Sequence, residues 1–264
     1  MNPLDDLPGR LLHCADQAVA LPAEQAPADL DVTTGYRLQR SNLALRLARG
    51  ERFSGWKVAF AGAAAQARFG LGEPVYGGLT EAMAALPGAA LDLAGLVDPR
   101  LEIEIAFIFA RDLPPGDYSD EQIIQAIGGV ALAFEVADCR WAGWRFEAGA
   151  FLADNAAAGR YCLSAALPFS ASRHQALDYA LTRDGVALGR GQTGDAADSA
   201  LPITCWLVRR LLADQQAVRA GQVVLTGALL APLAIEPGHY RFTLAGRALE
   251  LDFVSREVSA KEDA

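Results

Sequence analysis

The sequence predicts an α+β fold: a helical N-terminal segment over residues 1–50 followed by a β-rich body over residues 51–264. Three observations carry this. Tyr36, Leu38, Leu43, Ala44 and Leu47 recur near helical spacing within residues 34–49, residues 11–20 form a second helical stretch, and Gly50 closes the segment. From Phe53 onward short apolar runs are punctuated by Gly72-Glu73-Pro74, Pro114-Pro115-Gly116 and Glu236-Pro237-Gly238, the punctuation of strands and tight turns. The C-terminal stretch alternates, with Tyr240, Phe242 and Leu244 answering Leu249, Leu251 and Phe253, as a closing hairpin does.

Two helices interrupt the strands. Ser119-Asp120-Glu121-Gln122 has the S-x-x-Q spacing of a capping box, which predicts a short helix through Ile127 stopped by Gly128-Gly129. Residues 202–212, apolar nearly all round, read as a buried helix. No repeat and no linker composition divides the body.

Charge and cysteine usage narrow the function. With 23 basic against 32 acidic residues and a net charge of -9, no footprint for phosphate backbones is present, so neither nucleic acid nor an anionic membrane is an expected partner. Cys14, Cys139, Cys162 and Cys205 form no C-x-x-C pair, the N-terminus carries Asp5-Asp6 where a signal peptide is basic, and no apolar run reaches membrane-spanning length. A soluble, cytoplasmic protein is the expectation. His13, His174 and His239 show no zinc-ligand spacing.

Arginine supplies all the basic residues except Lys57 and Lys261. Lys261 sits in a polar tail, but Lys57 interrupts the apolar stretch Gly55-Trp56-Lys57-Val58-Ala59-Phe60. There the chain keeps a compact ammonium whose pKa responds to its surroundings. The alternative is a lysine that lays its stem on apolar surface and its charge in water.

The run from Leu101 to Ile108 alternates as a strand, with Leu101, Ile103, Ile105 and Phe107 on one face and Glu102 and Glu104 on the other. Same-face neighbours lie about 6.6–7 Å apart, so the two carboxylates either face water or lean onto one small cation. In the run Val130 to Ala137 both faces are apolar, and Glu135 stands alone in its middle beside Ala131, Ala133 and Ala137. A lone buried carboxylate costs several kcal/mol unless protonated, paired or metal-bound. Three carboxylates without neighbouring His or Cys suit a hard divalent ion such as Mg²⁺ or Mn²⁺.

These residues occur in a familiar order: Gly55-Trp56-Lys57-Val58, Glu73-Pro74-Val75-Tyr76-Gly77, Pro99-Arg100-Leu101-Glu102-Ile103-Glu104, Glu135-Val136-Ala137-Asp138-Cys139-Arg140, Ala153-Asp154-Asn155-Ala156 and Gly221-Gln222-Val223-Val224-Leu225-Thr226-Gly227. The chain resembles, over nearly its whole length, the hydratase/decarboxylase branch of the fumarylacetoacetate hydrolase superfamily. The resemblance implies that superfamily's β-roll for residues 51–264. It implies Mg²⁺ or Mn²⁺ held by Glu102, Glu104 and Glu135, with Lys57 reaching into the same pocket as a catalytic group. Asp154, as a second catalytic candidate, and Asn155 either orient waters and ligand or make an Asx-type turn. Thr226 either binds a substrate carboxylate beside Gly227 or hydrogen-bonds in a turn.

The implied substrate is a small 2-oxo or 2-hydroxy-dienoic acid chelating the ion, and the implied reaction is hydration of the 2-oxopent-4-enoate type or decarboxylation of the 4-oxalocrotonate type. A non-catalytic metal-bearing partner subunit is a further alternative of a different class. The implied assembly is a homo-oligomer, with association to a related family member open. Where the hydratases carry Pro-Asp-(Tyr/Phe)-Gly this chain has Val75, a candidate substrate contact that favours the decarboxylase, and Leu230, Ala157 and Ala158 replace polar residues of the pattern. No histidine falls beside a motif of the hydrolases, so cleavage of a 1,3-diketone is the third choice among the reactions.

Overall fold

The structure is a computed structural model describing residues 3–171, 176–194 and 199–255; His174 and Lys261 lie outside these. Helix α1 spans Pro3–Gln17 and α2 Val32–Ala48; strand β1 (Phe53–Ala59), α3 (Ala63–Arg68), β2 (Val75–Thr80), β3 (Ala84–Ala85), β4 (Ala90–Asp92) and β5 (Pro99–Phe109) follow. Then come α4 (Asp120–Ala126), β6 (Ile127–Asp138), α5 (Ala148–Ala153), β7 (Ala158–Leu163), β8 (Leu167–Pro168), β9 (Asp178–Arg183), β10 (Val186–Gln192), α6 (Ala200–Ala213), β11 (Val223–Leu225), β12 (Leu233–Ala234), β13 (Gly238–Leu244) and β14 (Arg247–Val254).

The larger sheet runs β2-β1-β11-β5-β6-β7-β3, with β12 on β5 and β8 on β6. Its two ends are neighbours in sequence: only Glu81–Met83 separate β2 from β3. Laid flat at about 4.8 Å per strand, those ends would stand roughly 29 Å apart, whereas the four steps from Thr80 to Ala84 span at most about 14 Å. The sheet must therefore curl into a roll. The Tyr161 hydroxyl on β7 meets the Ser54 hydroxyl on β1 at 3.0 Å across the closure.

Inside the curl, the alanines Ala106, Ala131, Ala133 and Ala158 share a cluster with Leu79, Met83, Tyr161, Val223 and Leu225, and the outer face of the same strands carries Leu101, Ile103, Phe107 and Phe134 into the main core. A second sheet, β10-β9-β13-β14-β4, packs on that outer face, where the Phe134 and Phe242 rings lie 6.2 Å apart. The C-terminal hairpin has the expected parity, with Tyr240 opposite Leu251 and Phe242 opposite Leu249, all buried.

The helices differ from the sequence reading at their ends. Helix α1 begins earlier than residue 11 and stops at Gln17 because Ala18 takes a left-handed φ of 52°. Helix α2 starts at Val32, where the Asp31 carboxylate accepts from Thr34 N at 2.7 Å. Leu47 is exposed, and the buried face includes Gln39, Asn42 and Arg46 instead. The reason is local: Gln39 donates to Tyr76 O at 2.8 Å and Asn42 to Pro8 O at 3.0 Å, so these amides tie α2 to β2 and α1. Gly35 lets α2 cross α5 closely, since a Cβ there would lie 2.6 Å from Gly149 O. The capping box forms as expected, but α4 ends at Ala126, and Gly128 and Gly129 lie inside β6.

Candidate active site and metal centre

Strand pairing assembles the carboxylates. Glu102 on β5 stands directly opposite Glu135 on β6, and Glu104 is one repeat further along the same face. One oxygen from each of the three lies within 4.8 Å of the others. Neither glutamate of β5 is on a wet strand face: Glu104 is 0% exposed inside the roll, and Glu102 lines a cavity.

Lys57 completes the group. It sits on β1, three strand spacings from β6 in the sheet order, about 14 Å if the sheet were flat. The curl brings its Nζ to 2.6 Å from Glu135 Oε1, and Nζ also donates to Ala156 O at 3.2 Å. It is 1% exposed, which overturns the surface-lysine alternative. Burial disfavours its charge, but Glu135, Glu102 and Glu104 outweigh that and raise its pKa above the usual lysine value.

Burial and the charge of Glu135 push Glu102 up to about 7, against the attraction of Lys57 and Arg100. Burial, with Glu135 and Glu102 adding repulsion, holds Glu104 well above the carboxylate range, even though Gly227 N donates to its Oε2 at 2.8 Å. Among the described residues, Glu104 Oε1 and Glu135 Oε2 have no hydrogen-bond partner. Two buried carboxylates and a half-buried third against one ammonium, with unpartnered oxygens and, among the described residues, no nitrogen or sulfur ligand in the group, is a donor set that fits a hard divalent cation.

The other site candidates divide. Gly227 lines the cavity, but Thr226 is buried beneath it and its hydroxyl donates to Ile105 O at 2.8 Å. Asn155 braces the wall from behind: its amide exchanges two 2.8 Å hydrogen bonds with the Gly78 backbone. Asp154 lies outside the carboxylate group and the cavity lining, held by Arg140, whose Nε pairs with its Oδ1 at 2.5 Å and whose N donates to Oδ2 at 2.9 Å. Burial raises Asp154 to about 6 against the pull of that guanidinium. Val75 sits opposite Ala59 on β2, 2% exposed and outside the cavity lining.

Two contributors escaped the sequence reading. Arg140 also donates to the carbonyls of Asp154, Asp138 and Ala158, clamping a turn in which Asn155, Ala156 and Ala157 all take left-handed φ of 52°, 51° and 55°. Such a conformation costs non-glycine residues about 1–3 kcal/mol each and persists only where packing enforces it. Gly77 lets the turn approach β2, since a Cβ there would lie 2.4 Å from Asn155 O. The D-x-R and D-N spacing was the only trace of this clamp in the sequence. The cavity, about 740 Å³, runs from Lys57, Glu102 and Gly227 to an aromatic wall that includes Phe60 and Trp144. Among the described residues no histidine lines it; His13 is exposed on α1, and His239 pairs with Asp252 at 2.7 Å on the surface.

Known proteins share this frame. The family described as "Fumarylacetoacetate (FAA) hydrolase C-terminal" matches residues 67–252. A 2-keto-4-pentenoate hydratase of Paraburkholderia phymatum is 32% identical over 89% of this chain and 90% of its own length. A 4-oxalocrotonate decarboxylase of a Pseudomonas species is 31% identical over 87% and 89%. The structure of 4-oxalocrotonate decarboxylase from Pseudomonas putida G7, complexed with magnesium and adipate, superposes with a TM-score of 0.86 over 95% of this chain and 97% of that one at 21% identity, a shared fold. The roll, the carboxylates on its inner face and these matches together place the chain in the fumarylacetoacetate hydrolase family.

Proposed function

We propose that the chain is a divalent-metal-dependent lyase of 2-hydroxy-2,4-dienoic acids, working as a hydratase of the 2-keto-4-pentenoate type. The observation that carries the reading is the cluster of Glu102, Glu104 and Glu135 with Lys57 at the foot of a cavity large enough for a small acid. A bound Mg²⁺ or Mn²⁺ supplies Lewis-acid charge for the oxygens of a 2-oxo acid. In the net reaction one water is added: its hydroxyl goes to C4, protons go to C3 and C5, and the enol oxygen gives one up.

Lys57 Nζ, charged and steadied by Glu135 and the Ala156 carbonyl, is the group placed to move a proton on the carbon chain. Glu104 is steadied by Gly227 N, which holds the loop after β11 against the metal ligands. Asn155 and Asp154 act as positioning residues that keep the Ala156 carbonyl on Lys57. Thr226 keeps that loop on β5.

Decarboxylation is the second reading. It is favoured by the decarboxylase among the relatives; Val75, the residue that pointed to it in the sequence, lies outside the cavity lining. Assembly as a homo-oligomer in the cytoplasm, with residues 1–50 as a helical segment on the catalytic body, belongs to the same reading. The test is product mass: purified protein with Mg²⁺ and a panel of 2-hydroxydienoates, including a diacid, is expected to yield substrate plus one water. Loss of CO₂ would establish the decarboxylase, and unchanged substrate throughout would remove the lyase reading.

A further inference from the structure

Beyond the carboxylate end, the cavity changes character. The Phe60 ring stacks on Phe69 and on Phe151, each with 4.6 Å between centroids; Phe146 stacks on Phe151 at 4.8 Å, and Trp144 lies 6.2 Å from Phe146. All five line the cavity, and Phe60, Phe69, Trp144 and Phe146 remain partly exposed there. Partly wet aromatic rings gathered on a concave wall are the usual lining of a ligand site. Phe60 is set in place by a left-handed φ of 55°, an uncommon conformation for a non-glycine residue that accompanies functional sites.

Most of the wall is apolar. Its charged side chains are Lys57 and Glu102 at the carboxylate end and two arginines, and no lining residue carries a hydroxyl or a carboxamide side chain. Both guanidiniums are turned onto rings, Arg68 5.5 Å from the Phe69 centroid and Arg100 4.3 Å from that of Trp144. Leu230 and Ala157 add to the apolar lining. The space also exceeds what a five-carbon acid fills: at roughly 30 Å³ per water-sized group, its eight non-hydrogen atoms fill about a third of the 740 Å³.

We infer that this site takes 2-hydroxydienoic acids bearing an aryl group at the distal carbon, with the ring seated among Phe60, Phe69, Trp144 and Phe146. The inference rests on the lyase reading for the acid end and on the aromatic wall for the distal end. Stacking and burial of apolar surface at that wall set the preference for the longer substrate.

The experiment is titration calorimetry on the full chain with saturating Mg²⁺, using three unreactive probes: 2-oxopentanoate, 2-oxo-5-phenylpentanoate and 2-oxohexanedioate. The phenyl probe is expected to bind at least tenfold more tightly than 2-oxopentanoate, and Phe146→Ser to shrink that ratio at least fivefold. Affinities for those two probes within twofold of each other, tightest binding of the diacid through the arginines, or no binding of any probe would each overturn the inference. The lyase reading fails separately, if no dienoate of the panel above is turned over, while the order of probe affinities still decides the distal site.

Discussion

Lys57 Nζ and Glu135 Oε1 lie 2.6 Å apart with both side chains removed from solvent, beside two further carboxylates for which the described residues show no ion pair. A pair buried in this way contributes little net stability by itself, because desolvation offsets the attraction. Its consequences are electrostatic. The ammonium stays charged, and the remaining negative charge makes a divalent ion the natural counter-ion.

Removing one ligand charge tests the centre directly. Glu135→Gln takes a ligand oxygen's charge from the site and leaves Lys57 without its partner. Calorimetric titration with Mg²⁺ or Mn²⁺ should show affinity reduced by tenfold or more, the size expected when a charged ligand is lost. Equal affinity in variant and parent would place the metal elsewhere.

Lys57→Met keeps the apolar stem and deletes the charge. Turnover with Mg²⁺ should fall 10²-fold or more, as for a lost proton-transfer group. The metal-free protein should also lose about 3–5 kcal/mol, because Glu135 is left buried and unpaired, and saturating Mg²⁺ should restore part of that in a thermal melt. An unchanged kcat/KM would make Lys57 structural.

The raised pKa of Glu102 predicts a pH dependence. In the folded metal-free chain its proton is held to about pH 7, and in the unfolded chain it is released near 4.5. Between those values the folded state binds the extra proton, so metal-free stability falls as pH rises from 5 to 8. Divalent ion binds the deprotonated form, so its affinity rises over the same interval. Melting curves across pH with chelator and with Mg²⁺ should therefore diverge, the gap widest at alkaline pH. Parallel curves would remove Glu102 from the centre.

Asp154→Ala separates clamp from chemistry. Leaving Arg140 buried without its carboxylate should cost about 3–5 kcal/mol, and the turn that carries the Ala156 carbonyl should loosen. The expected result is a clear fall in Tm, with Mg²⁺ affinity changed less than by Glu135→Gln. A stable variant with abolished turnover would return Asp154 to the chemistry.

Much of the site could be read from the chain because its logic is local. Strict alternation places Glu102 and Glu104 on one strand face, and a single glutamate in an otherwise apolar strand signals a charge that needs a partner. Ser119 and Gln122 announce their own capping box within four residues. What alternation cannot say is whether a face meets water. Glu104 is buried only because the sheet curls, and the curl follows from β3 joining the far edge three residues after β2, a long-range pairing with no periodic signal. The same closure carries Lys57 to Glu135 across three strand spacings. The Arg140 clamp and the aromatic wall likewise join residues scattered along the chain, whose types were plain but whose meeting was not. Residue types and short spacings determined which carboxylates are candidates for a hard divalent ion and which strands carry them. Only the closed roll decided which face is dry, and with it the charge state and reach of Lys57, because burial and long-range pairing belong to the folded chain as a whole.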